Sequence, residues 1–209
     1  MDNNQIETIK SYDNSANKFM QKIGKLNNYD GTYDFLHNLL KENDNVLDLA
    51  CGPAQISSYI KNKINVNITG VDLSKEMIKI AKENVPDGNF ICDSIITFKN
   101  NMKFNLIIIG FGIPYLNKEQ TEKCIKNSVI MLKKNGYFYI SFMNGNKYGF
   151  EETSFGGKNK YYIYYHEQGE IINMLENNGI KIIKDYKLNY TEMDGSITED
   201  IILIGRKNI

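Results

Sequence analysis

From Asn45 onward, short apolar runs alternate with amphipathic segments, and this rhythm restricts the fold more than any other feature of the chain. Residues 46–50 read as a buried strand and 55–63 as the helix after it. Residues 67–71 form a second strand; Ser74 then caps a helix in which Met77, Ala81 and Val85 share one face. Two more strands follow at 89–92 and 104–109. In the latter, Leu106, Ile107, Ile108 and Ile109 succeed one another without alternation, as expected of a strand covered on both faces. Asn117 and Gln120 have capping-box spacing and open a helix to about Leu132, with Ile125, Val129 and Leu132 inward. Asn135-Gly136 stops it and launches a strand over 137–142. A helix near 168–177, a Gly179 stop, and apolar runs at 180–188 and 201–204 complete the chain.

Strands alternating with helices imply right-handed crossovers, hence an α/β, doubly wound, mostly parallel sheet with helices on both faces. The last two runs have no helical pattern between them. Residues 191–196, with Asp194-Gly195, read as a turn, so the final strand is expected to be antiparallel. The 209 residues suit one domain: a helical cap segment (1–44), a core (45–142), an insert (143–166), and a terminal helix with strands (167–209). The insert is Gly- and Tyr-rich with room for a short hairpin, and both it and the cap could cover a ligand crevice as a lid.

Composition narrows the partners. With 25 Lys+Arg against 25 Asp+Glu, no bulk field favours nucleic acid or an anionic membrane. Cys51, Cys92 and Cys124 are isolated and odd in number, which fits a reducing compartment better than a disulfide framework. Residues 1–10 are polar and acidic, without the apolar core of a signal peptide, and the apolar stretch at 106–113 is too short to span a bilayer. A cytoplasmic protein is expected. The sequence holds no metal-ligand cluster and leaves the oligomeric state open.

Ligands of open α/β sheets sit beyond the carboxyl ends of the strands. The first strand ends in Asp48-Leu49-Ala50-Cys51-Gly52-Pro53-Ala54, a tight turn of small residues that lets a ligand approach the backbone. The second ends in Asp72-Leu73, where a carboxylate can accept from both hydroxyls of a ribose. The third ends in Cys92-Asp93-Ser94, offering a carboxylate to an exocyclic amine, and the fourth in Gly110-Phe111-Gly112, where bare backbone can reach the ligand's other end. Each carboxylate has a plain structural alternative, as a helix cap or a turn residue. Four suitable groups in order weigh against that alternative for the set.

These segments resemble the class I S-adenosylmethionine-dependent methyltransferases. The resemblance is carried by VLDLACGPA (46–54), GVDLSKEMIKIAKEN (70–84), FICDS (90–94), FNLIIIGFGIPYL (104–116) and MLKKNGYFYIS (131–141). It implies a seven-stranded sheet with one antiparallel strand and S-adenosylmethionine as cofactor. Asp48 and the turn through Ala54 would surround the methionine moiety, Asp72 the ribose, and Asp93 the adenine amine. Leu73 and Met77 would flank the adenine, and Gly110 would meet the methionine amino group. Tyr12 and Phe19 resemble a segment that folds over the cofactor in many relatives. The chain departs from the family's glycine-rich turn at Ala50 and Ala54, keeping only Gly52. A dinucleotide turn would need a small residue where Gln55 stands, which disfavours a nicotinamide enzyme.

Catalytic groups are harder to read, because methyl transfer from a sulfonium needs a base only if the acceptor must lose a proton. His166, after Tyr161-Tyr162-Ile163-Tyr164-Tyr165, is one candidate, with a surface or capping histidine as the alternative. Tyr115, past the fourth strand where the family often meets its acceptor, is the other. His37 reads as structural. Phe111-Gly112-Ile113-Pro114-Tyr115 is not the Asn/Asp-Pro-Pro-Tyr motif of enzymes acting on base amines or on glutamine. A small-molecule acceptor is expected, with S-adenosylhomocysteine as product. The alternatives are an RNA or protein acceptor, which would want a basic surface such as Lys61, Lys63, Lys158 and Lys160, or a non-catalytic S-adenosylmethionine-binding scaffold.

Overall fold

A computed structural model describes residues 3–192 and 195–208. Its seven-stranded sheet has the order β3-β2-β1-β4-β5-β9-β8. The strands are β1 (Asn45–Leu49), β2 (Asn67–Asp72), β3 (Asn89–Cys92), β4 (Phe104–Gly110), β5 (Leu132–Met143), β8 (Ile180–Thr191) and β9 (Ile197–Lys207). All run parallel except β9, which is antiparallel to both β5 and β8. The doubly wound sheet with an antiparallel last strand is therefore as expected.

Alternation along each strand sends consecutive residues to opposite layers. Leu47, Leu49, Ile107 and Ile109 face one core with Ile125 of α5 (Lys118–Met131) and Ile171 of α6 (Gln168–Asn177). Val46, Leu106 and Ile108 face the other. There they meet Leu36 of α2 (Asp30–Leu39), Ile60 of α3 (Gln55–Lys61), and Ile78 and Ala81 of α4 (Lys75–Asn84). The unbroken apolar run in β4 is thus a strand with a helical layer on each side. Ser74 caps α4 by accepting from the Met77 amide at 3.1 Å, and Asn117 with Gln120 closes the capping box on α5.

β5 begins five residues earlier than the Asn135-Gly136 pair suggests. The chain turns extended at Leu132, and Asn135 takes a left-handed φ of 61° inside the irregular pairing between Phe104↔Leu132 and Leu106↔Tyr137. Asparagine tolerates that conformation, so the pair marks a bulge within a strand rather than a strand start. At the far turn Gly195 has φ 82° and the Glu192 amide donates to Ser196 O at 2.8 Å; Asp194 lies outside the described residues.

Two elements stand above the carboxyl ends of the strands. The hairpin of β6 (Tyr148–Glu152) and β7 (Lys160–Tyr164) occupies the insert, and α1 (Asn3–Ile23) lies along β7. The buried positions of α1 are small and largely polar: Thr8, Ser11, Ser15 and Ala16. Small side chains allow close approach, and their hydroxyls hold the strand. Ser11 Oγ donates to Lys160 O at 2.7 Å, and Thr8 Oγ1 accepts from the Tyr162 amide at 2.9 Å.

Candidate active site

The turn after β1 is built on left-handed backbone. Ala50, Gly52 and Ala54 have φ of 57°, 51° and 62°, so both alanines adopt the conformation glycine would take without strain. The turn is fixed from outside. The Cys51 amide donates to Val71 O at 3.1 Å, Asn84 Nδ2 to Pro53 O at 2.8 Å, and the Gly52 amide to Asp72 Oδ2 at 2.9 Å. Gln55, which blocks a dinucleotide turn, uses its side chain to tie α3 to the end of α1 through Ile23 O at 2.8 Å.

Asp72 closes β2 with its other oxygen accepting from the Ser74 amide at 2.8 Å. Burial raises its carboxyl, while the Ser74 and Gly52 amides oppose that rise. Two oxygens held by backbone amides still have lone pairs for further donors. Asp48 is buried, accepts from Ser57 Oγ at 2.6 Å, and is pushed up to about 7 by burial. At the end of β4, Phe111 sits at φ 51°, a strained state for a bulky residue, held by its amide donating to Ser141 Oγ at 2.9 Å. A Cβ on Gly112 would come within 2.8 Å of the Ala50 Cβ, so the ends of β1 and β4 touch only because that residue is glycine.

A cavity of about 360 Å³ opens over these strand ends. Tyr12, Asp48, Ala50, Cys51, Gly52 and Pro53 line it, as do Asp72, Leu73, Met77, Ser94, Gly110 and Phe111. Its roof is aromatic. The Tyr12 ring stands edge-on to Phe19 and Tyr115, each with centroids 5.5 Å apart, and to Tyr161 at 4.8 Å; it stacks with Phe155 at 6.1 Å. The Tyr12 and Tyr115 hydroxyls are hydrogen bonded to each other. Burial raises both phenols, Tyr115 to about 12. Both are therefore neutral near pH 7.

Three of the sequence candidates are not in this wall. Cys92 and Asp93 are exposed; Asp93 Oδ1 accepts from the next amide, Ser94 N, at 2.7 Å. His166 is buried, with a ring nitrogen 3.0 Å from Ile113 O, and lines a second pocket rather than this one. Burial lowers its pKa, so it stays neutral where a histidine would begin to charge. His37 lies in α2.

Sequence reasoning missed several groups that the fold brings here. Asp13 of α1 accepts from Ser74 Oγ at 2.6 Å, tying the roof to the α4 cap. Phe155 arrives from the hairpin loop, Tyr29 from the α1–α2 connection, and Asp200 from β9. Only Asp13 had a local signal, since it adjoins Tyr12 in the segment already singled out.

The residues present fit an adenosyl group bearing an amino acid. Glycines at the ends of β1 and β4 leave the backbone bare, a doubly held carboxylate ends β2, and Met77 walls the cavity beside it. Residues 46–136 match the family model described as a methyltransferase domain. The chain shares the fold of solved S-adenosylmethionine-dependent methyltransferases. It superposes on magnesium protoporphyrin IX methyltransferase from Synechocystis PCC 6803 with bound SAH at a TM-score of 0.75, over 99% of this chain and 100% of that one, with 15% identity. At that identity the likeness is one of fold. By sequence it is 29% identical to demethylmenaquinone methyltransferase of Thermotoga maritima over 46% of this chain and 42% of the relative. It is 26% identical to release factor glutamine methyltransferase of Fusobacterium nucleatum over 69% of this chain and 45% of the relative. The chain spans less than half the length of these two relatives.

Proposed function

We propose that this chain is a single-domain enzyme, 1–209, that transfers a methyl group from S-adenosylmethionine to a small-molecule acceptor and releases S-adenosylhomocysteine. The observation that carries the reading is the continuity of one cavity from the Asp48 and Asp72 cradle to an aromatic roof. When bound, the cofactor supplies a methyl on a sulfonium whose departure leaves a neutral thioether and needs no acid. The chain's own work is to bind, orient and exclude water. Asp72 accepts from the ribose hydroxyls, Leu73 and Met77 flank the adenine, and Ser94 lies beside it. Asp93, exposed next to Ser94, meets the adenine amine from outside. Asp48, Ala50 to Pro53 and Gly110 surround the amino-acid end, and Phe111 faces the acceptor.

Tyr12 and Tyr115 close the roof over the transferred group as a hydrogen-bonded, neutral pair. His166 is assigned a structural role: its ring anchors the turn at Ile113 rather than facing the acceptor. A small acceptor suits a cavity walled by α1 and the hairpin. Two of the lysines that a nucleic-acid or protein reading would use are engaged elsewhere, Lys61 with Asp87 at 2.7 Å and Lys63 with Asp34. Free Cys51, Cys92 and Cys124 support a cytoplasmic setting, and no helix among the described residues is long and apolar enough to cross a membrane.

Calorimetric titration with S-adenosylmethionine, S-adenosylhomocysteine and NAD tests the reading. We expect binding of the first two and none of NAD, with Asp72→Ala weakening both by about 100-fold through loss of two charge-assisted hydrogen bonds. A well-folded protein that binds neither adenosyl ligand would overturn the proposal.

A further inference from the structure

The cavity extends beyond the Asp48 and Asp72 cradle to a further carboxylate. Asp200 is 3% exposed, lies near the start of β9 opposite Met143 and Leu188, and forms part of the cavity wall. Because β9 runs antiparallel, its first residues stand at the same sheet edge as the ends of β4 and β5. Asp200 Oδ2 accepts from Tyr29 Oη at 2.6 Å, and the Tyr29 ring stands edge-on to Phe111 with centroids 5.4 Å apart. Among the described residues Oδ1 accepts no hydrogen bond, and the carboxylate makes no ion pair. Burial pushes it up to about 6, and Glu192, at the end of β8, adds to the rise.

A largely buried carboxylate with no counter-ion and one oxygen left open to the cavity is suited to a cationic ligand. The remaining charges of the wall point the same way. Lys22 is its one cationic side chain among the described residues, and its ammonium bonds Ser154 and lies 6.0 Å from the Tyr190 ring centre. Against it stand Asp48 and Asp72 in the cradle, Glu151, paired with Lys147 at 3.3 Å, and Glu152, Glu192 and Asp200. Tyr29, Phe111 and Tyr190 give this end flat aromatic faces, which favour a cation and an apolar body alike. An anionic acceptor would meet repulsion, and a neutral one would leave Asp200 without a counter-ion.

We propose that the acceptor carries a protonated amine on an aromatic or similarly flat apolar body, and that Asp200, oriented by Tyr29, receives that amine. The inference rests on the methyltransferase reading above and specifies its substrate class.

Its test is a calorimetric titration of protein saturated with S-adenosylhomocysteine, using ethylamine, tyramine and tryptamine. Each is paired with its neutral counterpart: ethanol, 4-ethylphenol and 3-ethylindole. At least one amine should bind about tenfold or more tightly than its partner, as a charge-assisted bond in a buried site requires. Asp200→Asn should abolish that preference with unchanged affinity for S-adenosylhomocysteine, and Tyr29→Phe should reduce it several-fold. Thermal unfolding of both variants confirms that they fold. Intact S-adenosylhomocysteine binding without amine preference, or a preference that survives Asp200→Asn, overturns this inference alone. Failure of the unaltered protein to bind S-adenosylhomocysteine overturns the methyltransferase reading and this one with it.

Discussion

The floor of the cavity and its roof are made of different materials. The floor is main chain: left-handed turns, glycines with no room for a Cβ, and a carboxylate held by two amides. The roof is side chain. Tyr12, Phe19, Tyr115, Phe155 and Tyr161 meet through ring contacts, and α1 holds the hairpin through hydroxyls of Thr8, Ser11 and Ser15. A floor of this kind can take one ligand shape and tolerates little change. A roof of interdigitated side chains can be altered residue by residue without disturbing the sheet. On the proposed function, the invariant part of the reaction falls to the floor and the variable part, the acceptor, to the roof and its Asp200 end.

The sharpest way to break this division is at Tyr161, fully buried between Tyr12 and Phe155 and hydrogen bonded to Ser15 at 2.7 Å. Tyr161→Ala should cost about 3 kcal/mol, confined to the roof. Amide exchange in α1 and β7 is then expected to accelerate by about 100-fold, with β1, β2 and β4 unchanged. Equal acceleration in both regions would mean that roof and floor form one cooperative unit.

A second effect should come from pH. Asp48 and Asp200 titrate at about 7 and about 6 in the fold, above the ordinary aspartate value near 4. Folding therefore takes up protons between those values, and stability falls as pH rises through that window. The unfolding temperature of the ligand-free protein should drop from about pH 5 to about pH 8. Asp48→Asn and Asp200→Asn should each flatten part of that slope, on the floor and at the acceptor end respectively. A slope unchanged by both variants would place the cost elsewhere.

The smallest effect sharpens the account of the floor. Ala50→Gly and Ala54→Gly relieve left-handed strain at the expense of greater freedom in the unfolded chain, for a net stabilisation of about 0.5 kcal/mol each. Urea unfolding midpoints would register it. Destabilisation at either position would show that the methyl group's packing outweighs the strain.

The sequence by itself determined the floor. Its signals are local: a strand of apolar residues, a small-residue turn, a capping serine two residues past Asp72, a bare Gly110. Each can be read within a few positions because the backbone's needs are met by neighbours in the chain. Local reading failed where one residue has two compatible uses. Asn135-Gly136 served as a bulge inside a strand. Only the tertiary structure decided the Asp200 end of the cavity. Tyr29 and Asp200 are 171 positions apart, and the antiparallel course of β9 brings Asp200 to the same sheet edge as Phe111. No periodicity or motif records such a meeting, because it is set by the order in which strands pair across the sheet rather than by the residues that flank them.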